Sequence, residues 1–228
     1  MFERERHEFL VFRDGLAQQP VVREQMERAI EDVFWTYDTS IPENRFIVGG
    51  VIEYVLGAAM RACSVLVRHR GVLKMDEDLL FDDSENGYSV KAILKGTGTR
   101  LVNVMGAAPT RARWHSATIF LIPDLGLVYA DPALEWWTSH LEECIRPSSD
   151  ALTVSVRCIR AFVAECPEWQ APCKLPQESN RPARTHPART ASGDIAAQVL
   201  MHYETLFAAF AGLKPWEESR NYLTPFHD

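Results

Sequence analysis

Residues 76–91, DEDLLFDDSENGYSVK, decide how the rest of the chain is read. Asp78-Leu79-Leu80-Phe81-Asp82 alternates polar and apolar side chains, and so does Tyr88-Ser89-Val90-Lys91-Ala92. Between them, Asp83-Ser84-Glu85-Asn86-Gly87 is rich in turn formers and ends in Asn-Gly. Two period-2 runs joined by such a cluster predict a β-hairpin. A turn centred near Ser84-Glu85 sets Asp78 opposite Lys91, within about one residue. Alternation puts Asp78, Leu80 and Asp82 on one face and pairs Ser89 with Lys91 on one face. Leu79, Phe81, Tyr88, Val90 and Ala92 then form the apolar side. A carboxylate meets an ammonium across two strands. Such an Asp can hold a hard divalent cation, and such a Lys can orient a water and offset phosphate charge. The plainer reading is a surface hairpin with an exposed ion pair.

Working upstream, residues 46–68, FIVGGVIEYVLGAAMRACSVLVR, predict a helix. Val51, Val55, Ala59, Cys63 and Leu66 share one face, and Ile52, Leu56 and Met60 widen it. A helix apolar nearly all round belongs at the centre of a domain. Glu53 is out of place there, because a buried carboxylate must be paired, protonated or metal-bound. Gly49, Gly50 and Gly57 near it would let a backbone or ligand approach. The alternatives for Glu53 are a buried ion pair with an arginine, or partial exposure near the helix end. Glu53 and Arg61 would each cost roughly 2.5–3.5 kcal/mol inside a bilayer, so the run is not read as a membrane span. Residues 1–36 carry a helical stripe (Phe2, Phe9, Leu10, Leu16, Val22, Met26, Ile30, Val33) broken near Gln19-Pro20. Residues 37–45 read as a loop.

Downstream, Arg100–Val104 predicts a strand. From Lys91 to Arg113 five basic residues (Lys91, Lys95, Arg100, Arg111, Arg113) occur without an acid, in a chain of net charge −7. That asymmetry suits a phosphate-facing surface. Ala117–Pro123 and Gly126–Ala130 predict two central strands around a turn at Asp124-Leu125. Residues 133–146 and 149–165 predict helices. Residues 166–193, with frequent prolines and the near-repeat RPARTHPART, read as a flexible segment. A last helix is expected at 195–212, after Asp194.

The 228 residues, 46% hydrophobic and 24% charged, fit one globular domain with additions. The division expected is a core over 1–165, a Pro/Arg-rich segment over 166–193, and a C-terminal helix and tail over 194–228. Net acidity excludes a generally basic coat but not a local basic cleft. Five irregularly spaced cysteines indicate neither a disulfide scaffold nor a zinc site. The opening MFERERHEF lacks a signal-peptide apolar core, so a cytoplasmic location is the default. The seven histidines are scattered and read as structural or exposed.

The order of a helix with Glu53, a strand with Asp78 and a strand with Lys91 resembles the PD-(D/E)XK nuclease superfamily, in particular type II restriction endonucleases. The resemblance rests on GGVIE at 49–53, Asp78 and SVK at 89–91; RLVN at 100–103, Trp114 and TIFLIPDLGLVYADP at 118–132 extend it less specifically. It implies an α/β fold, a restriction-endonuclease-like mixed β-sheet flanked by helices, with additional N- and C-terminal helices. It also implies Mg²⁺-dependent (Mn²⁺ as substitute) hydrolysis of double-stranded DNA, with Asp78 and Glu53 as metal ligands and Lys91 positioning the water. Ser89 occupies the position of the motif's acid, and Glu77 that of its proline. Asp76 and Asp82 compete with Asp78 for the aspartate role. Lys95, Arg100, Asn103, Arg111 and Arg113 are the candidate DNA-backbone contacts. A homodimer suits cleavage of both strands of a symmetric site. Other readings are a catalytically silent nucleic-acid-binding protein on the same fold and a repair or transposition nuclease.

Overall fold

In a computed structural model the described residues are 1–37, 42–70, 77–93, 98–103, 113–147 and 151–176. Three helices open the chain: α1 (Glu3–Gln18), α2 (Pro20–Thr36) and α3 (Pro42–Ala62). The break between α1 and α2 falls at Gln19-Pro20, with Pro20 in the first turn of α2, where its missing N–H costs nothing. Strands β1 (Val67–His69), β2 (Leu79–Phe81), β3 (Gly87–Ala92), β4 (Gly98–Asn103), β5 (Thr118–Ile122) and β6 (Gly126–Ala130) follow. Then come α4 (Glu135–Cys144), β7 (Ile145–Pro147), β8 (Ala151–Ser155), α5 (Val156–Glu165) and β9 (Gln170–Ala171).

The strands form a mixed six-stranded sheet of order β1-β2-β3-β5-β6-β9 and a three-stranded antiparallel sheet of order β4-β8-β7. Within the larger sheet, β3 and β5 run parallel and all other pairs antiparallel. The protein is therefore of mixed α/β class. β5 and β6 are buried at every position, as their continuous apolar runs require. Gly126 opens β6 directly after the turn, at φ 85, a conformation that costs other residues free energy.

Helix α3 is central, with Val51, Ile52, Val55, Leu56, Ala59 and Met60 all buried. It is bounded differently from the sequence expectation, beginning at Pro42 and ending at Ala62. The Val65 N–H donates to the Met60 carbonyl, and Ser64 takes the left-handed conformation at φ 68. That closing motif turns the chain into β1. Val65, Val67 and His69 then point inward while Leu66 is 55% exposed, which is strand alternation rather than a helical stripe.

Helix α1 covers the sheet through aromatic contacts. Phe9 lies 5.2 Å from Tyr129 between ring centroids, and the Tyr88 hydroxyl donates to the Glu5 carbonyl at 2.7 Å. Arg6 grips Asp131 through two hydrogen bonds of 2.8 and 2.9 Å, and the Tyr129 hydroxyl donates to the same carboxylate. This fully buried carboxylate is satisfied on every side, which makes Asp131 an anchor of the fold.

Three further expectations change. The 149–165 helix is half strand: Ala151–Ser155 pairs with β4 and β7, and α5 starts only after Ser155, whose hydroxyl caps it by accepting from the Cys158 N–H. β-Branched Thr153 and Val154, with Leu152 and Val154 facing the core, fit a ladder as well as a helical phase. The start of the Pro-rich segment is structured, since β9 pairs with β6. Cys144 and Cys158 are joined as a disulfide tying the end of α4 to the start of α5, although their spacing matches no recognised framework. The expected helix at 195–212, with everything from 177 onward, lies outside the described residues. No described helix is long and apolar enough to cross a membrane.

Candidate active site

The hairpin forms between β2 and β3, with a register two residues from the expectation. Leu79 pairs with Tyr88 and Leu80 with Gly87, so Asp78 falls opposite Ser89 rather than Lys91. The Phe81 N–H donates to the Asn86 carbonyl, which centres the turn one residue earlier than Ser84-Glu85; one residue at the centre moves the partner by two. A shift of two preserves side-chain parity, so Asp78, Ser89 and Lys91 still share a face. Gly87 permits this register, because a Cβ there would overlap the Leu79 carbonyl. The expected polar face of β2 is not solvated: Leu79, Leu80 and Phe81 are all buried.

Asp78 is held through backbone and side chain. Its N–H donates to the Tyr88 carbonyl at 2.9 Å and its carbonyl accepts from the Arg70 N–H at 3.1 Å. Its Oδ2 accepts from the Val90 N–H at 2.6 Å and from the Ser89 hydroxyl at 3.3 Å. The Lys91 Nζ stands 3.7 Å from the same oxygen, with both side chains about four-fifths buried. Ser89 therefore steadies Asp78 and does not add a third carboxylate.

Glu53 projects from α3 and bonds a histidine rather than an arginine. The Nε2 of His69 lies 2.8 Å from Glu53 Oε2. The His69 side chain is almost wholly buried, and Tyr54 stacks on it at 4.3 Å with its hydroxyl 3.4 Å from Nδ1. With Glu53 ionised, a proton on Nε2 donates to the carboxylate and Nδ1 accepts from Tyr54, a tautomer that satisfies both contacts. Burial raises the Glu53 pKa above its ordinary value, opposed by the His69 hydrogen bond; the Asp78 charge raises it further and that of Lys91 lowers it. The charges of α3, β2 and β3 thus act on one another. Gly49, one turn before Glu53, has open space where a Cβ would stand, so room rather than close packing surrounds it.

The rival acids are separated by their partners. Asp82 is committed to Arg61, whose Nη1 lies 2.7 and 2.8 Å from its two oxygens. Glu77, in the proline position, accepts from Arg70 at 3.1 Å and from the Ser116 hydroxyl at 3.2 Å. Asp76 lies outside the described residues, as do Lys95 and Arg111. Arg113 is exposed beyond β4, Asn103 ends β4, and Arg100 stands on the second sheet.

His69 and its bond to Glu53 lie outside the sequence expectation, because a single helix over 46–68 hides the turn at Ser64 and strand β1. The alternation Val65, Val67, His69 was the signal that could have found them. Among the described residues no group of three or more His, Cys, Asp or Glu side chains is gathered as a metal cage. Asp78 and Glu53 are hard-oxygen donors of the kind that could hold Mg²⁺, which is commonly bound through one or two carboxylates, with water and phosphate oxygens completing the shell. Asp78 Oδ1 and Glu53 Oε1 accept no hydrogen bond from the described residues. No protein-family model, curated protein or solved structure matches this chain.

Proposed function

We propose that this protein is a divalent-metal-dependent endonuclease of restriction type, on a restriction-endonuclease-like sheet, that hydrolyses phosphodiester bonds in double-stranded DNA. The observation that carries the reading is the Lys91 ammonium 3.7 Å from Asp78, with Glu53 close enough for both charges to act on it. Asp78 and Glu53 would hold Mg²⁺, with Mn²⁺ as substitute. When bound, that ion supplies charge stabilisation for the phosphorane-like transition state and acidifies water. Lys91 orients the attacking water and offsets phosphate charge. The Val90 N–H and Ser89 hydroxyl keep Asp78 in one rotamer, and His69 does the same for Glu53. Lys95, Arg100, Asn103, Arg111 and Arg113 are proposed to contact the DNA backbone, and a homodimer would present two such sites to a symmetric duplex.

The second reading, a silent nucleic-acid-binding protein, is favoured by Ser89 in the acid position. The test is cleavage of unmethylated phage DNA with Mg²⁺ or Mn²⁺ by wild type, Lys91→Ala and Glu53→Ala. Discrete fragments from wild type alone are expected. Cleavage surviving Lys91→Ala would place the active site elsewhere. DNA binding without cleavage by folded wild type would establish the silent reading.

A further inference from the structure

Outside the proposed active site, a concavity of 880 Å³ opens where β4, β7 and β8 meet the ends of α4 and α5. Among the described residues, four that line it are arginines (Arg100, Arg146, Arg157, Arg160) and one, Glu143, is an acid. Strand register explains the clustering. Thr153 of β8 pairs with Arg100 of β4 on one side and with Arg146 of β7 on the other. Directly opposed residues share a face, so an Arg–Thr–Arg row crosses the sheet. Two strand spacings set its arginine Cα atoms about 9–10 Å apart. Leu152 and Val154, of opposite parity, face the core, which leaves this row on the pocket side. Arg157 and Arg160, one turn apart on α5, add two guanidinium groups at the end of β8.

The acids that meet Arg157 and Arg160 among the described residues are exposed. Arg157 meets Glu143 at 3.5 Å with side chains 87% and 64% exposed, and Arg160 meets Asp124 at 2.5 Å. Exposed pairs of this kind contribute little and exchange readily for a stronger anion. Arginine forks suit the tetrahedral oxygens of phosphate, and the cavity is of ligand-binding size. The Cys144–Cys158 disulfide lies in the pocket wall and ties α4 to α5.

We propose that this arginine-lined pocket on the three-stranded sheet is an anion site that binds phosphate groups, from a polynucleotide backbone or from a small phosphorylated molecule. The site shares Arg100 with the DNA-backbone contacts proposed above but goes beyond the nuclease reading, because its chemistry needs neither Asp78 nor Lys91.

The test measures binding in chelator-treated buffer, without divalent metal, to a fluorescein-labelled 12-nucleotide DNA by anisotropy and to pyrophosphate by calorimetry. Arg146→Ala/Arg157→Ala removes two exposed charges from the pocket; Arg23→Ala/Arg28→Ala removes two from α2 as a control. Oligonucleotide binding weakened tenfold or more by the pocket variant, with the slope of log affinity against log salt reduced by about 1.4, identifies a polynucleotide backbone. Loss of pyrophosphate binding with the oligonucleotide unaffected identifies a small phosphate ligand. No binding of either probe by wild type, no change in the pocket variant, or an equal loss in the α2 control would overturn the proposal. Because the assay holds no divalent metal and reads binding alone, failure of this site and failure of the nuclease reading are told apart: cleavage by wild type in Mg²⁺ tests only the second.

Discussion

The imidazole of His69, at the end of β1, hydrogen-bonds the carboxylate of Glu53, 16 residues earlier on α3, at 2.8 Å. The contact fixes the direction of an acid that burial would otherwise drive toward its protonated form. His69→Phe should keep the ring volume and the Tyr54 stacking while removing this hydrogen bond. Calorimetric Mn²⁺ affinity is expected to fall about 10- to 100-fold, as for partners that orient metal ligands. An unchanged affinity would mean that Glu53 needs no support from β1.

The raised pKa of Glu53 also predicts how stability depends on pH. A group protonated more readily in the folded than in the unfolded state favours folding below its unfolded pKa. That contribution is lost as pH rises through the folded value. Glu53→Gln removes the cost of the buried charge, so its Tm should exceed that of wild type at pH 7 and converge with it near pH 4. Added Mg²⁺ should raise the Tm of wild type but not of Glu53→Gln. A lower Tm for Glu53→Gln at pH 7 would show that the charged pair with His69 is net stabilising.

Asp82 and Asp78 separate structure from proposed chemistry. Asp82→Ala leaves the nearly buried Arg61 without its carboxylate, at a cost of about 2–3 kcal/mol in urea melts. Asp78→Asn retains an oxygen acceptor for the Val90 N–H and should fold normally while losing all cleavage. Equal stability losses in the two variants would contradict this division.

Gly87 sets the hairpin register by contact rather than by a positive φ. Gly87→Val should force β2 and β3 apart and destabilise the protein by about 1–3 kcal/mol. The accompanying loss of cleavage would exceed what the loss of folded protein explains, because Asp78 would leave the Val90 N–H. Full activity in the surviving folded fraction would mean that the register is pinned elsewhere.

The cysteines should divide under alkylation of the folded protein at pH 8. Burial pushes the thiol of Cys63 up to about 11 and that of Cys173 up to about 12, so both stay protonated and slow. Partly exposed Cys166 should react first, and Cys144 and Cys158 only after reduction. Opening that 14-residue link should lower stability by about 3 kcal/mol on a chain-entropy account. Mass spectrometry before and after dithiothreitol, with a melt at each stage, checks both points.

Much of the architecture was legible locally. The break at Gln19-Pro20, the central burial of α3, the 78–92 hairpin and the β5–β6 pair all follow from periodicity and turn chemistry, which neighbouring residues determine. Side-chain parity alone was enough to place Asp78, Ser89 and Lys91 on one face, even with the register displaced by two. Tertiary structure decided what depends on distant partners. Ala151–Ser155 becomes a strand because β4 and β7 supply its ladder hydrogen bonds, which no local pattern encodes. Ser64 ends α3 so that His69 can return to Glu53, and the Arg–Thr–Arg row exists only where three separate strands align. Periodicity reports which face a residue takes; its neighbours across that face are set by chain closure over tens of residues.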